Sequence, residues 1–306
     1  MTEHCFINYC YFTRHVKKEQ SPEEEELMEI QESGNVCPEY SRVYVKTEEP
    51  SGMTREEIRY IPEEYHLSVQ VLPYPGKKEK SPGGPQAGKQ EQEQEYKLEF
   101  CCTPSFLPEM VLGHLLTEGL ILSGEDVISL EIFRDRGEAL AVLRECAAVY
   151  TRGRTGHRAD SCVPAELQPA GLHPAEPHPE PLLRPEWIRG MEERIMEETE
   201  LRALTHAVHS AVLSHRGEIV FAAEDIGRHN AIDKAAGFAL RNGIPLGECL
   251  LYTTGRMPSD MVMKAVRAGI PALVSGKGPT AEGLRIAKQY GLLVAGNVRN
   301  GRICFY

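Results

Sequence analysis

Residues 249–296, CLLYTTGRMPSDMVMKAVRAGIPALVSGKGPTAEGLRIAKQYGLLVAG, decide the fold of this chain. Three short apolar segments, CLLYTT, PALVS and GLLVAG, alternate with two segments whose apolar residues have helical spacing. Pro258 stands where a first helical turn tolerates proline, and Thr280 stands where a side chain caps the next helix. Strands that alternate with helices imply right-handed crossovers and a mainly parallel sheet with helices on both faces. We therefore predict a three-layer α/β/α sandwich.

The neighbouring residues extend this domain to 189–306. HAVHSAVL and EIVFAA flank a turn at 215–217 and predict a hairpin. A helix is expected from about Ala231 to Leu240, and RICFY supplies a last strand at the C-terminus.

Residues 61–150 predict a smaller α+β domain. HLSVQVL at 66–72 and YKLEFCC at 96–102 are expected to pair as strands around a flexible insertion at 75–95, which is rich in Gly, Pro and Gln. Ser105 is placed to cap a helix, and SLEIF and EALAVL predict a second hairpin.

Two further segments carry little apolar periodicity. Residues 1–60 include the acidic run EQSPEEEELMEIQE and predict a poorly ordered extension. Residues 151–188 contain a polar loop around Cys162 and then a proline-rich stretch, which predicts an extended linker.

The composition is that of an ordinary globular protein. Of 306 residues, 41% are hydrophobic and 26% are charged, which excludes a wholly disordered or fibrous chain. No apolar run approaches the roughly 18 residues of a spanning helix. The N-terminus carries its basic residues after the short apolar stretch, which is the wrong order for a secretory signal. We expect a cytoplasmic protein with no membrane partner.

The charge is distributed unevenly. The whole chain has a net charge of −11, but residues 201–306 hold 13 Lys and Arg against 7 Asp and Glu. A basic C-terminal part favours an anionic ligand, whereas nucleic-acid binders usually show denser basic runs. We therefore expect no nucleic acid among the partners.

Cations follow the predicted strands of the C-terminal domain. Ligands of open α/β sheets bind beyond the carboxyl ends of the strands, where helix N-termini offer free N–H groups. Four such loops each contain basic residues: Arg228 and His229 after EIVFAA, Arg256 beside Gly255 after CLLYTT, Lys277 after PALVS, and Arg299 and Arg302 after GLLVAG. If these loops share one edge, they form a cleft that should bind phosphates.

Ordinary explanations compete with this one. Gly, Arg and Lys are common in solvated surface loops, and Asn230 with Asp233 is an ordinary capping arrangement. SGKGPT lacks the spacing of a Walker loop, so nucleotide hydrolysis is not indicated.

The histidines do not predict a metal site. His206 and His209 are three residues apart, but they fall in a predicted strand and would point to opposite faces. The histidines in or beside the linker have no Cys or carboxylate at ligand spacing.

Nine cysteines without a C-x-x-C pair exclude a zinc ribbon and make a disulfide framework improbable. Five of them fall in or against apolar strand segments, where a thiol is usually inert: Cys101, Cys102, Cys146, Cys249 and Cys304. Cys162 instead follows the polar segment RGRTGHRADS, whose cations lower a thiol pKa and favour the nucleophilic thiolate. An incidental loop cysteine is the alternative interpretation.

Three segments together resemble one known family. EDIGRHNAIDKAAGFAL, TTGRMPSDMVMKAVRAGIPALVSGKGPT and IAKQYGLLVAGNVRNGR resemble the FdhD/NarQ family of formate dehydrogenase accessory sulfurtransferases. FLPEMVLGHLLTEGLILSGEDVISLEI looks like the N-terminal helix and following strand of that family. The likeness covers roughly residues 60–306.

The resemblance implies a fold and an activity. It implies a cytidine-deaminase-like α/β/α domain, a homodimer and a sulfur carrier that a cysteine desulfurase loads with a persulfide. The sulfur would pass to the molybdenum or tungsten bis-guanine-dinucleotide cofactor before insertion into formate dehydrogenase, and GDP would partly mimic that cargo. The persulfide cysteine matches Cys162, and the cofactor-binding loop matches Asn297, Val298, Arg299, Asn300, Gly301 and Arg302. The H-x-E and P-C-x-x-C motifs of zinc deaminases are absent, so deamination is not implied.

Two departures from the family pattern leave alternatives open. The second cysteine of the family loop falls at Ala165, and THAVHSA keeps His209 but places His206 and Ala207 where glycines usually stand. One alternative is therefore a cofactor-binding chaperone for formate dehydrogenase maturation that has lost sulfur transfer. A weaker one is a regulatory protein that recognises guanine nucleotides.

Overall fold

The structure is a computed structural model that describes residues 28–73, 96–144, 183–198 and 200–306. The predicted insertion at 75–95, the Cys162 loop and most of the proline-rich linker lie outside the described residues. The domain boundaries stay a prediction.

The N-terminal part contains a five-stranded sheet and a separate two-stranded sheet. The strands are β1 (Glu29–Ser33), β2 (Tyr40–Glu48), β3 (Thr54–Pro62), β4 (Tyr65–Pro73), β5 (Tyr96–Cys102), β6 (Val127–Phe133) and β7 (Glu138–Leu143). The first sheet has the order β1-β6-β7-β4-β5, and the second pairs β2 with β3. The two predicted hairpins are confirmed, since β4 pairs antiparallel with β5 and β6 with β7.

Part of the predicted extension forms regular strands, contrary to the expectation for residues 1–60. β1 joins the sheet as a parallel edge strand beside β6, and β2 and β3 pair along nine residues each. An edge strand needs only backbone partners, so its side chains can stay polar and exposed and show no apolar periodicity.

The helix after β5 begins differently from the prediction. Helix α1 (Leu107–Thr117) has Phe106 in the left-handed region at its N-cap, with no side-chain cap, and Pro108 in its first turn. Ser105 therefore does not cap this helix, and its hydroxyl lies 3.4 Å from the hydroxyl of Thr103. Nearly every residue of α1 is buried, so packing decides where the helix lies.

The C-terminal part is a six-stranded sheet with helices on both faces. Its strands are β8 (His209–His215), β9 (Glu218–Asp225), β10 (Cys249–Thr253), β11 (Ala272–Ser275), β12 (Leu293–Arg299) and β13 (Arg302–Phe305). They follow the order β13-β12-β11-β10-β8-β9 across the sheet. The helices are α2 (Pro185–Glu198), α3 (Glu200–Thr205), α4 (Arg228–Arg241), α5 (Ser259–Arg267) and α6 (Ala281–Tyr290).

The expectation of a mainly parallel sheet is wrong. Only β10–β11 and β11–β12 run parallel, and the other three pairings are antiparallel. Two tight turns cause this, because Arg216–Gly217 and Asn300–Gly301 have positive φ and reverse the chain directly. The fold is a mixed α/β arrangement, and its likeness to the cytidine deaminase fold stays a prediction.

The two sheets share one hydrophobic core. It contains α1, α4, α5, the inner face of the five-stranded sheet and one face of the six-stranded sheet. The opposite face of the six-stranded sheet is covered by Ile188, Met191 and Ile195 of α2. Within the described residues, no helix has both the length and the apolar character needed to cross a membrane.

Helices α1 and α4 touch backbone to backbone. A β-carbon placed on Gly113 would overlap the carbonyl oxygen of Asp233, and one placed on Gly237 would overlap the carbonyl oxygen of Glu109. Both positions therefore need glycine, and this contact fixes how the N-terminal part sits on the C-terminal sheet.

Candidate functional site

Three of the predicted loops leave the same edge of the six-stranded sheet. His209 at the start of β8 pairs with Asp225 at the end of β9, and Ala211 pairs with Thr253 at the end of β10. Thr253 in turn pairs with Ser275 at the end of β11. We call this edge the rim: the loops 226–229, 254–258 and 276–280, together with Asn297.

The α4 end of the rim is organised around one carboxylate. Asp260 in the first turn of α5 has its Oδ2 2.8 Å from His229 Nε2 and 3.5 Å from Arg228 Nη2. The His229 hydrogen bond is the main reason that the pKa of Asp260 is lowered to about 2. The sequence did not indicate Asp260, which holds both of these predicted site residues in place.

Gly255 lies against Arg228. A β-carbon on this glycine would come 3.5 Å from the β-carbon of Arg228, which is ordinary contact. The loops after β9 and β10, separated by a helix in sequence, therefore meet at these two residues.

The β11 loop is tied to both of its neighbours. Ser275 Oγ donates to the carbonyl of Gly255 at 2.6 Å and accepts from the amide of Lys277 at 2.9 Å. The amide of Asn297 donates to the carbonyl of Lys277 at 3.0 Å. Gly255, Lys277 and Asn297 are thus brought together as predicted, and the side chains of Lys277 and Arg256 are exposed.

Beyond Asn297, the predicted cofactor-binding loop turns toward α2. Val298 is 3% exposed and packs in the core under α2, so its side chain is not available to a ligand. Arg299 and Arg302 are exposed and lie opposite each other across the β12–β13 hairpin. The amides of Asn300 and Gly301 donate to the two carboxylate oxygens of Glu192 at 2.8 and 3.2 Å. The carboxylate of Glu192 therefore already occupies these two amides as an anion.

Two buried polar groups in or beside the rim have no hydrogen-bond partner among the described residues. Ser210 is fully buried and its hydroxyl has no hydrogen-bond partner, and neither has Nε of Arg228. Helices α4 and α5 both begin here without a side-chain cap. Buried unpaired donors and open helix N-termini are the groups that an anionic ligand satisfies.

His209 adjoins these groups. Burial, followed by the charges of Arg228 and Arg202, lowers the pKa of His209, which therefore stays neutral near pH 7. The only sequence signal for its position was the predicted hairpin, which places the start of β8 beside the end of β9.

Comparison with known proteins identifies the family. The model of the FdhD/NarQ family matches residues 92–306, more than half of the chain. The chain belongs to this family. Among similar members, "Sulfur carrier protein FdhD" of Halalkalibacterium halodurans is 32% identical over 211 residues, which cover 67% of this chain and 78% of that protein. The protein of the same name from Methanothermobacter thermautotrophicus is 31% identical over 215 residues, covering 68% and 81%.

A solved structure supports the fold. The crystal structure of a protein from Desulfotalea psychrophila, assigned as a formate dehydrogenase accessory protein, superposes with a TM-score of 0.64. It covers 88% of this chain and 96% of its own, at 24% sequence identity. At that identity the likeness supports the fold alone.

The string EDIGRHNAIDK, at 224–234, makes mainly structural contacts in this chain. Asp225 and Lys234 form a fully buried ion pair at 2.7 Å. Asp225 Oδ2 also accepts from the amide of Thr103 at 2.9 Å, and its Oδ1 accepts from the amide of Gly227 at 2.8 Å. Asn230 Nδ2 donates to the same Oδ1 and to the carbonyl of Cys101. These residues join the two halves of the chain, whereas Arg228 and His229 of the same string belong to the rim.

A second buried ion pair reinforces this junction. Lys264 of α5 donates to Asp233 of α4 at 2.9 Å, and Asp233 also accepts from the hydroxyl of Thr117 at 2.6 Å. Burial alone would raise the pKa of Asp233, but Lys264 and the hydrogen bonds of His114 and Thr117 hold it well below its usual range. Asp233 is therefore a buried carboxylate and not a helix cap.

The cysteines differ in exposure, and Cys37 and Cys304 are half-buried. Cys162 and Cys146 lie outside the described residues. Cys102 and Cys249 are buried as predicted, and burial raises the pKa of each to about 12. Cys101 is exposed, contrary to the prediction, because it points to the outer face of β5. Partial burial, Glu64 and Asp225 raise the pKa of Cys101, which disfavours its thiolate.

Proposed function

We propose that this chain is a sulfur carrier that accepts persulfide sulfur from a cysteine desulfurase at Cys162. It then delivers the sulfur to a molybdenum or tungsten bis-guanine-dinucleotide cofactor before that cofactor enters formate dehydrogenase. The observation that carries the proposal is the rim, where Arg228, Arg256 and Lys277 meet at one edge of the sheet in a chain whose relatives are named sulfur carrier proteins.

The rim suits the anionic part of such a cargo. The cofactor's pyrophosphates would lie at the open N-termini of α4 and α5, with charge-assisted hydrogen bonds from Arg228 and Arg256. Nε of Arg228 would gain the partner that it lacks. Asp260 would hold Arg228 and His229 in place before the cargo binds.

The sulfur steps balance with thiol chemistry alone. The Cys162 thiolate attacks the terminal sulfur of the desulfurase persulfide, a new S–S bond forms, and the desulfurase thiolate leaves. Release of that sulfur as sulfide needs two electrons. Because position 165 is alanine, we assign these electrons to an external thiol, which forms a disulfide with Cys162 as the sulfide departs.

Mass spectrometry tests the first step. The full chain is incubated with a cysteine desulfurase and cysteine, and its peptides are mapped for an added sulfur atom. We expect the adduct on Cys162, none in Cys162→Ala, and an unchanged adduct in Cys101→Ala, which removes the exposed thiol of β5. An adduct that never appears on Cys162 would overturn the carrier role of this residue.

The absence of a second loop cysteine favours one alternative. Ala165 removes the family's second thiol, so the chain would be a cofactor-binding chaperone without sulfur transfer. Complementation of a strain that lacks its own accessory protein distinguishes the two functions. The carrier requires that Cys162→Ala abolishes formate dehydrogenase activity, whereas the chaperone requires that Cys162→Ala still supports activity and Arg256→Ala does not. The homodimer stays a prediction.

A further inference from the structure

Three residues outside the rim combine different metal-binding side chains. They are Glu64, His66 and Cys101, and all three are exposed. His66 of β4 lies directly across from Cys101 of β5 in the antiparallel register. Glu64 stands one residue before the start of β4, and its carboxylate lies near the other two groups on the same side of the sheet. That side is the outer face of the five-stranded sheet, since Leu67 and Val69 point into the core.

The separations suit one metal ion. The carboxylate oxygen, imidazole nitrogen and thiol sulfur all lie within 4.8 Å of one another. Tetrahedral zinc, with bonds of about 2.0–2.3 Å, separates its ligand atoms by roughly 3.3–3.8 Å. Exposed side chains cover the remaining distance by small rotations within their staggered wells.

The backbone that carries these residues is well supported. β4 lies between β5 and β7 and pairs with both. The carbonyl of Cys101 also accepts from Asn230 Nδ2 at 2.8 Å, and Asn230 is held by Asp225. His66 and Cys101 therefore stand on fixed strands, and Glu64 directly precedes one of them.

We propose that Glu64, His66 and Cys101 bind one divalent transition-metal ion of the zinc class, with a fourth position open to solvent. One thiolate and one imidazole select zinc-like ions over magnesium and calcium, which prefer oxygen ligands alone. Three protein ligands leave one position for water or an incoming thiolate. Binding would deprotonate Cys101 and withdraw it from other sulfur chemistry. The site does not depend on the sulfur carrier role.

Cobalt provides the direct test. The full chain, freed of any histidine tag, is titrated with Co²⁺ and followed by absorption. A site with a thiolate ligand gives a thiolate-to-cobalt charge-transfer band, which we expect to saturate at one equivalent. Cys101→Ser should abolish the band, and His66→Gln and Glu64→Gln should each weaken Co²⁺ binding at least tenfold. Cys304→Ser, which changes a half-buried thiol on β13, should leave the titration unchanged.

Protection of Cys101 by bound Zn²⁺ against alkylation gives a second readout that does not depend on an absorption band. Zn²⁺ should slow the alkylation of Cys101 by a maleimide, as measured by peptide mass spectrometry, in the wild-type chain but not in His66→Gln. The substituted side chains are exposed, so thermal unfolding should match the wild type. A wild-type chain without the cobalt band, a band that persists in Cys101→Ser, or alkylation that Zn²⁺ does not slow would each overturn the proposal.

Discussion

At the scale of single residues, the arrangement of the rim depends on Asp260, whose carboxylate contacts both His229 and Arg228. Asp260 lies within 2.8 Å of His229 and 3.5 Å of Arg228, so both side chains are held before a ligand arrives. Preorganisation of this kind lowers the entropic cost of binding. Within the rim, Arg228 has both an ion pair and an unpaired donor, and its removal should affect a ligand directly.

Arg228→Ala should weaken GDP binding by about ten- to a hundredfold, because a charge-assisted hydrogen bond contributes roughly 1.5–3 kcal/mol. Isothermal titration calorimetry on the full chain measures this change. Lys288→Ala removes an exposed cation on α6, away from the rim, and should leave the affinity unchanged. Equal losses in both variants would indicate a general charge effect and contradict a specific site.

Glu224 should make stability depend on pH. Its carboxylate accepts from the amides of Leu201 and Arg202 at the start of α3, yet burial raises its pKa from 4.5 to about 7. Between these values the folded state binds more protons than the unfolded state, so the free energy of unfolding should fall as pH rises from about 4.5 to 7.

Urea denaturation across that pH range measures the slope. Glu224→Gln cannot ionise and should flatten this part of the pH profile. A slope that survives in Glu224→Gln would assign the effect to other groups.

At the scale of elements, the crossing of α1 and α4 brings two helix backbones into direct contact. Gly113 and Gly237 allow the two helix backbones to touch, and a side chain at either position would overlap a carbonyl of the other helix. Helix α2 is fixed to the opposite side through Glu192, which holds the β12–β13 turn, and through its apolar face. The helices therefore connect the rim to both halves of the chain.

Gly113→Ala should lower the free energy of unfolding by about 3 kcal/mol or more, because neither backbone can yield without losing other contacts. Thermal and urea denaturation both measure this. Gly190→Ala is the matched control, since a β-carbon at this position of α2 meets nothing within 4 Å. That change should be neutral or slightly stabilising. Similar losses at both positions would contradict a specific helix contact.

At the scale of the whole molecule, one core and two buried ion pairs join the halves of the chain. Each pair also contacts the N-terminal part. Asp225, paired with Lys234, accepts a hydrogen bond from Thr103, and Asp233, paired with Lys264, accepts one from Thr117. A buried charge without its partner is costly, so these pairs should make the two sheets unfold together.

Lys234→Met should destabilise the chain by about 3–5 kcal/mol, because it leaves Asp225 buried and unpaired. The double change Asp225→Asn with Lys234→Met should cost less than the sum of the single changes. Urea unfolding followed by circular dichroism and by the fluorescence of Trp187, the one tryptophan of the chain, measures both the energies and the number of transitions. Additive losses, or separate transitions for the two signals, would contradict a shared junction.

The amino-acid sequence by itself determined the local elements and the chemistry of the loops. Alternating apolar segments predicted the strands of residues 249–296, Thr280 was correctly placed as a helix cap, and cations were located after the strands. These signals are short-range, since periodicity, caps and turns depend on neighbouring residues. The family resemblance also came from contiguous strings, and the family assignment is confirmed.

Only the tertiary structure decided which side chains meet. Asp260 reaches Arg228 and His229 across two elements, and Cys101 faces His66 on the outside of a sheet where an inert thiol was expected. Asp225 and Asp233 turned out to be buried partners of lysines. Contacts of this kind depend on strand order and helix crossing, which are set by long-range packing and leave no local pattern in the sequence.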